Sequence, residues 1–546
     1  MRSLNFKDLW HVKNRIVKYT YIRENYGSRI DRLYAKDLSN FVKCIDVHNV
    51  SFSDHLCVKI VIESLDIPKA GPYYWKLNTS LLDLPGIEEI FKEEWKLLTS
   101  CINRYPNINN WWDKFAKTKI KSFFVKIGRE QMQNKYGLLN YLEFSLNKKY
   151  NELNLSGRID YTAVKLIKDR IDDIKIDILN GVRIRSRVDE QLQGEHISAY
   201  LVKKQANVHS KQLISSIKTE EGIMENVDKD ILLKTKDSIM LYIYKYYEKL
   251  YLHENFDAEM QDWFLNHIDR QLSSEECTLL ENEITVNEIF NAIKKMNFNK
   301  APGLDGLPIE FYFKFWNIIK KELSEVIINI TKGMLLEEKQ RKAVITLIHK
   351  DGELDRLKNW RPISLISVDV KIVAKILALR LGKVMTNLIS ENQFCCPNRT
   401  IIECTYKIRD ALFYLNQKNY TGAILNLDWE KAFDRVDWTF LSKVLVKMGF
   451  PQSTITWFMI FYNNIESMCM INGTLTSPFK IERGVRQGCP LSMLAFVIFQ
   501  EPLYKAIQKC SSIIPPQIPG ENFKNLGYAD DTTIFVMSDQ SLCDIF

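Results

Sequence analysis

"NLGYADDTTIF", residues 525–535, decides how the rest of the chain is read. Asp530 and Asp531 are adjacent carboxylates, and the residues that follow, 532–536, are mostly β-formers. No Lys or Arg lies between Asn525 and Phe535 to offset the two charges. In a regular strand, neighbouring side chains point to opposite faces, so two adjacent Asp cannot converge on one ion there. A turn removes that restriction, and an aromatic-led segment followed by a β-branched run suits a hairpin. A second adjacent pair, Asp172-Asp173, sits in a helical stretch, so the dipeptide by itself is no signature.

Working outward, the candidate partner is Asp428. "AILNLD" (423–428) is a short apolar run ending in a carboxylate, as a buried central strand delivering a functional group to a sheet edge would be. Carboxylates from two neighbouring strands, with the second hairpin Asp, suit two Mg²⁺ ions. Mg²⁺ prefers hard oxygen ligands, keeps some waters and binds substrate phosphates. Such a pair of ions can clamp the attacking and leaving oxygens of an in-line phosphoryl displacement. Spacing alone leaves structural, buried carboxylates as the alternative.

The 546 residues are 46% hydrophobic and 12% aromatic, enough to bury real cores in about three domains. No run of about 18 apolar residues suggests a membrane span, and the first residues lack a signal-peptide stretch, so secretion is not expected. The 11 cysteines show no C-x-x-C spacing and read as thiols in a reducing compartment. Net charge is +8, but residues 114–218 alone hold 21 Lys/Arg against 11 Asp/Glu, punctuated by Phe123, Phe124, Tyr136, Tyr141 and Tyr150. Clustered cations favour a polyanion partner; a solvated helical face explains the same charges.

The pattern divides the chain into a β-rich segment at 1–75, a mostly helical basic connector at 76–284 and a mixed α/β (α+β) domain at 285–546. Thr285-x-x-Glu288 predicts a capping box. Pro308 predicts the first residue of one helix running toward Gly333, and Asp351-Gly352 a turn after a strand.

"LDWEKAFDRVDW" (427–438), "GVRQGCPLS" (484–492) and "YADD" (528–531) resemble the palm motifs of reverse transcriptases. "NKAPGLDGLPIEFY" (299–312) and "LIHKDGELDRLKNWRPISL" (347–365) are similar to finger motifs of the LINE-type, non-LTR retrotransposon subclass. The resemblance implies right-hand fingers and an antiparallel palm sheet with helices. It also implies an RNA template, a DNA primer or target, dNTPs, and two Mg²⁺ with Mn²⁺ as substitute. By the same likeness Asp428 and Asp530 ligate both ions, with Asp531 in support. Phe433 would be the steric gate beneath the sugar; read alone it is an ordinary core Phe. Lys350 and Arg361 would grip the triphosphate, though each alone reads as a surface charge. Gln487 and Gly488 would meet the nascent base pair, the glycine letting backbone approach nucleic acid. Action on target DNA implies an intracellular, nuclear setting. No motif specifies an oligomeric state.

Within 1–75, "SRIDRLY" (28–34) and "SFSDHLCVKI" (51–60) resemble the last motifs of the apurinic-type endonuclease that precedes such polymerases. Asp54 and His55 would be its acid–base end, with Asp31 orienting His55, a sound general-base arrangement. So short a piece implies a remnant without nuclease activity. "GVRIRSRVDEQLQGEHISAYLVKKQ" (181–205) is similar to the family's basic connector, whose phosphate contacts would not specify sequence.

Two departures stand out. In "QFCCPNRTIIE" (393–403), Cys395, Cys396 and Asn398 replace the family's Gly, Phe and Gly; loss of glycines at positive φ would distort the template-side fingers. The likeness also stops at Phe546, before a thumb, which implies truncation and impaired activity. The expected function is therefore RNA-directed DNA polymerization. The alternatives are a catalytically silent nucleic-acid-binding fragment or another palm polymerase, such as an intron maturase, telomerase or viral replicase.

Overall fold

The computed structural model describes residues 7–10, 20–23, 26–35, 42–48, 55, 57–62, 74–156, 161–186, 213–223, 230–419, 422–516, 518 and 524–537. The chain divides into two compact units, residues 1–69 with 126–213 and residues 70–125 with 214–546. The expected boundaries at 76 and 284 are therefore not where the units part: both flanks of the connector fold with the residues that follow it.

Among the described residues of the first unit, six strands pair into three two-stranded antiparallel sheets: β1 (Lys7–Asp8) with β4 (Tyr34–Ala35), β2 (Tyr21–Arg23) with β3 (Tyr26–Ser28), and β5 (Val42–His48) with β6 (Cys57–Ile62). The unit also holds most of helix Lys117–Ser156 and helix Tyr161–Ser186. These two pack through Leu139, Leu142, Leu146, Val164 and Ile171. Part of the connector's positive charge is already answered there, with Lys135 on Asp177 at 2.5 Å and Lys175 on Glu143 at 3.0 Å. Tyr136 and Tyr141 are exposed.

The second unit carries a small ladder of β7 (Ile217–Lys218) and β8 (Leu232–Leu233) and two larger sheets. In the first of these, β9 (Lys342–His349) lies between antiparallel β10 (Trp360–Leu365) and parallel β12 (Glu466–Ile471), and β12 also pairs β13 (Thr474–Leu475) and β14 (Phe479–Lys480). The other sheet has the order β11 (Ala423–Leu427), β16 (Asp531–Val536), β15 (Asn525–Tyr528), all antiparallel. The expectation of a buried central strand at 423–427 is corrected here. β16 occupies the centre, and β11 is an edge strand with Ile424 exposed among the described residues.

Local chemistry sets the helix ends. Thr285 caps helix Val286–Lys294 through the Glu288 amide, but the Glu288 carboxylate does not close the box; Arg380 binds it at 2.8 Å through both Nε and Nη2. Pro308 is the residue before the helix rather than its first. The single predicted helix is two, Ile309–Lys314 and Trp316–Thr331, broken at Phe315, whose ring packs 4.2 Å from that of Phe91.

Residues 74–125 are part of this core. The Tyr74 hydroxyl donates to the Pro302 carbonyl at 2.7 Å, and the Leu77 amide to the Gly306 carbonyl at 2.9 Å, both in the "NKAPGLDGLP" loop. Beneath that loop, buried Lys117 is ion-paired with Asp369, Asp305 and Asp113 at 2.7, 3.1 and 3.5 Å. Trp112 and Gln340 also donate to Asp369, at 2.9 and 2.8 Å. Burial drives the Asp113 and Asp305 carboxyls up; at Asp369 burial pushes the same way, but the charge of Lys117 and the bonds from Lys117, Gln340 and Trp112 together outweigh it and hold the carboxyl below its ordinary range. Lys117 is one of the 21 basic residues counted toward a polyanion, and its burial removes it from that role. No helix among the described residues is long and apolar enough to cross a membrane.

Candidate active site

The hairpin β15–β16 closes on the pair Tyr528↔Asp531, which leaves Ala529 and Asp530 as its two-residue turn. Ala529 has φ +55°, a left-handed conformation costing an L-residue on the order of 1 kcal/mol. The side chain of Gln393 holds it there from both sides: Oε1 accepts from the Ala529 amide at 3.2 Å and Nε2 donates to its carbonyl at 3.3 Å. Helix Ser492–Lys509 supports the hairpin from beneath. Gln500 Nε2 and the Tyr504 hydroxyl each lie 3.1 Å from Thr532 Oγ1. A Cβ at Gly527 would fall 1.8 Å from the Tyr504 oxygen, so this strand has no room for a side chain. Sequence reading singled out neither Gln393 nor Tyr504. The quoted "QFCC" contained the glutamine, but its partner lies 136 residues away.

The β11–β16 ladder ends at Leu427↔Thr532, so Asp428 leaves the sheet at the end where Asp531 begins β16 and Asp530 turns. Asp530 is half-buried, and burial pushes its carboxyl above the usual range. The neighbouring charges of Asp531 and Asp428 push the same way, while its own backbone amide and Arg361 oppose the shift. Asp428 and Asp531 are exposed. Three carboxylates thus share one sheet end, and Asp530 feels the charges of the other two with Arg361 opposing them. Among the described residues no three His, Cys, Asp or Glu side chains already close into an ion cage. The donor set, all hard oxygen and mutually repelling, is nonetheless one that a hard divalent cation would relieve.

The residues after Asp428 turn through Lys431, at φ +53°, into a short 3₁₀ segment, Ala432–Arg435. Phe433 is half-buried and stacks on Phe496 with ring centroids 4.7 Å apart. Its carbonyl accepts from the Val485 amide at 2.7 Å. The next residue, Asp434, is buried. Burial pushes its carboxyl up to about 6, against hydrogen bonds from Tyr251 and Gln487 and the charge of Lys431. The Gln487 carbonyl accepts from the Ser364 amide of β10 at 2.7 Å. Gly488 has φ +107°, and a Cβ there would lie 2.9 Å from the Ser364 carbonyl. The close approach that requires glycine at 488 is therefore to β10. Arg361 projects from that same strand and is exposed; exposed Lys350 follows β9, its amide bonded to the Asn359 carbonyl at 2.9 Å.

At the divergent stretch 393–403, Cys395 and Cys396 are buried and only Asn398 has positive φ, +66°. Asn tolerates that region well, so the expected distortion does not arise from the two cysteines. In the first unit, His55 Nδ1 and Asp31 Oδ2 lie 2.8 Å apart. Partial burial works against the Asp31 carboxylate, but bonds from His55 and Thr20 outweigh it and hold it below its ordinary value. Asp54 lies outside the described residues.

Residues 348–545 match the family described as reverse transcriptase (RNA-dependent DNA polymerase). Over 98% of its length the chain is 30% identical to the transposon TX1 uncharacterized 149 kDa protein of Xenopus laevis, covering 41% of it. Over 36% of the chain it is 27% identical to the retrovirus-related Pol polyprotein from type-1 retrotransposable element R2 of Popillia japonica, covering 27% of that protein. Over 40% it is 28% identical to the probable RNA-directed DNA polymerase from transposon BS of Drosophila melanogaster, covering 25%. The chain spans about two-fifths or less of the length of these curated relatives. With its carboxylate hairpin and its Gly488 turn, the stretch 348–545 is similar to reverse transcriptases, and the chain resembles proteins of non-LTR retrotransposons.

Proposed function

We propose that this chain carries an RNA-directed DNA polymerase centre that extends a DNA primer on an RNA template, in the nucleus where target DNA lies. In this reading β9, β10 and the helices around them are fingers, and the sheet β11–β16–β15 with helix Ser492–Lys509 is palm. The observation that carries it is the meeting of Asp428, Asp530 and Asp531 at one sheet end within the field of Arg361. Two Mg²⁺ ions, or Mn²⁺ in their place, held by those three carboxylates would supply Lewis-acid activation of the primer hydroxyl and stabilise the leaving pyrophosphate. Arg361 neutralises triphosphate oxygens through its fork of donors, and Lys350 adds a point charge. Phe433, braced by Phe496, lies under the sugar and excludes a 2′-hydroxyl. Gln487 meets the new base pair. Catalysis then rests on positioning and charge stabilisation. The basic connector supports nucleic-acid contact through phosphates, and the Asp31–His55 bond supports an endonuclease-like origin for residues 1–75.

Primer extension on poly(rA)/oligo(dT) with Mg²⁺ tests the reading. The 546-residue chain should extend, and Asp530→Ala should lower the rate about a thousandfold or more while filter binding persists. Binding without extension by the unaltered chain would favour the catalytically silent fragment.

A further inference from the structure

The carboxylate that holds Gln487 lies in the 427–438 motif, but the hydroxyl that holds that carboxylate comes from outside the motifs. Asp434 is a buried acceptor with two partners: the Tyr251 hydroxyl donates to Oδ1 at 2.8 Å and Gln487 Nε2 donates to Oδ2 at 3.2 Å. An ionised carboxylate can only accept, so the Gln487 amide must present its nitrogen to Asp434 and turn its oxygen away. Tyr251 itself is fixed. It ends helix Lys236–Leu250, with its ring stacked between Tyr247 and Phe479 at centroid distances of 6.2 and 6.3 Å. Its carbonyl accepts from the Glu482 amide at 3.0 Å, and the Leu250 carbonyl accepts from Arg483 Nε at 2.9 Å. One helix end therefore grips the residues that lead into "GVRQG". The same helix meets the Phe433 turn, where Lys431 Nζ lies 4.8 Å over the Tyr246 ring.

We propose that Tyr251 and Asp434 are positioning residues for nucleotide selection, locking the Gln487 amide in one orientation and fixing the turn that carries Phe433. The inference rests on the polymerase reading and adds a device supplied by the connector. Phe433 and Gln487 are bound to consecutive parts of one rigid assembly: Asp434 follows Phe433 directly, and the Val485 amide ties the Phe433 backbone to the segment bearing Gln487. Removing the Tyr251 hydroxyl leaves Asp434 with one donor and frees both it and the amide to rotate. A loosened gate admits the wrong sugar or base more often and holds the right nucleotide less firmly.

Steady-state incorporation of dTTP, UTP and a mismatched dNTP on poly(rA)/oligo(dT) reads this directly, with Tyr251→Phe and Asp434→Asn beside the unaltered chain. The expected result is a KM for dTTP raised about tenfold with a smaller change in kcat, and a similar loss of dTTP-over-UTP preference. That size corresponds to one hydrogen bond's worth of orientation. The double variant should be no worse than Asp434→Asn alone, because both changes act through one carboxylate. Tyr251→Phe removes one oxygen, and a thermal melt reports whether it folds; Asp434→Asn is the second route if it does not. Unchanged preference and KM in both variants, with extension intact, would overturn the proposal while leaving the polymerase reading standing. Binding without extension by the unaltered chain would overturn both.

Discussion

Glu501 offers a direct measurement of how helix Ser492–Lys509 is held in its unit. It is buried in helix Ser492–Lys509 and accepts from the Ser390 amide at 3.0 Å and the Ser390 hydroxyl at 2.5 Å through one oxygen, Oε1. Its other oxygen is buried without a hydrogen-bond partner. Burial pushes the carboxyl from 4.5 up to about 7, although the Ser390 bonds and the charges of Lys505 and Arg270 oppose it. Between about pH 4.5 and 7, the folded chain keeps a proton that the unfolded chain releases, so this group's stabilising contribution is complete at low pH and is lost as pH rises through that window. At 1.36 kcal/mol per pH unit, the swing is about 3 kcal/mol. Glu501→Gln keeps the acceptor for Ser390 and removes the titration. Urea denaturation followed by tryptophan fluorescence reports on the right unit, since every Trp except Trp10 lies in it. The stability of the variant relative to the unaltered chain should rise by about 3 kcal/mol from pH 4.5 to 7.5. A difference that stays flat across that range would refute the reasoning, because it would mean that the native carboxyl titrates like a solvated one.

Gly527→Ala should disrupt the carboxylate hairpin, costing about 1–3 kcal/mol in urea denaturation, because its methyl would meet the Tyr504 hydroxyl at 1.8 Å. Adding Tyr504→Phe should restore part of that loss, and no rescue would place the clash elsewhere. Lys117→Met should destabilise the second unit by about 3–5 kcal/mol, since it leaves Asp113, Asp305 and Asp369 buried without their shared cation; a variant as stable as the unaltered chain would show that the cluster carries no net weight.

What could be read from sequence is what short-range chemistry determines. The aromatic-led segment and β-branched run flanking Asp530, the impossibility of converging adjacent side chains in a strand, and the apolar run ending at Asp428 were sufficient to place a turn beside a strand end, and the ladder has that register. Thr285 was legible as a cap because capping is local. The closing of the box was not, because Arg380, 92 residues on, takes the Glu288 carboxylate instead. β11 was misjudged as central because an apolar run records hydrophobicity but not how many neighbours a strand finds. Its edge position follows from β16 lying between β11 and β15, a fact of topology.

The connector shows the same limit more sharply. Its basic residues read as one population because counting treats every Lys alike, yet burial sorts them. Lys117 is enclosed by three carboxylates, one of them 252 residues away at Asp369, and no window along the chain contains both. Lys135 and Lys175 are paired across two helices. The flanking Tyr251 reaches Asp434 across 183 residues. Each is a polar group whose burial is tolerable only with its distant partner in place. If residues 74–125 and 236–251 were merely a tether, truncating the chain to begin at residue 285 would leave a stable unit. The structure argues otherwise, because that cut would strip buried Asp305 and Asp369 of Lys117, and buried Asp434 of Tyr251, at a cost of several kcal/mol.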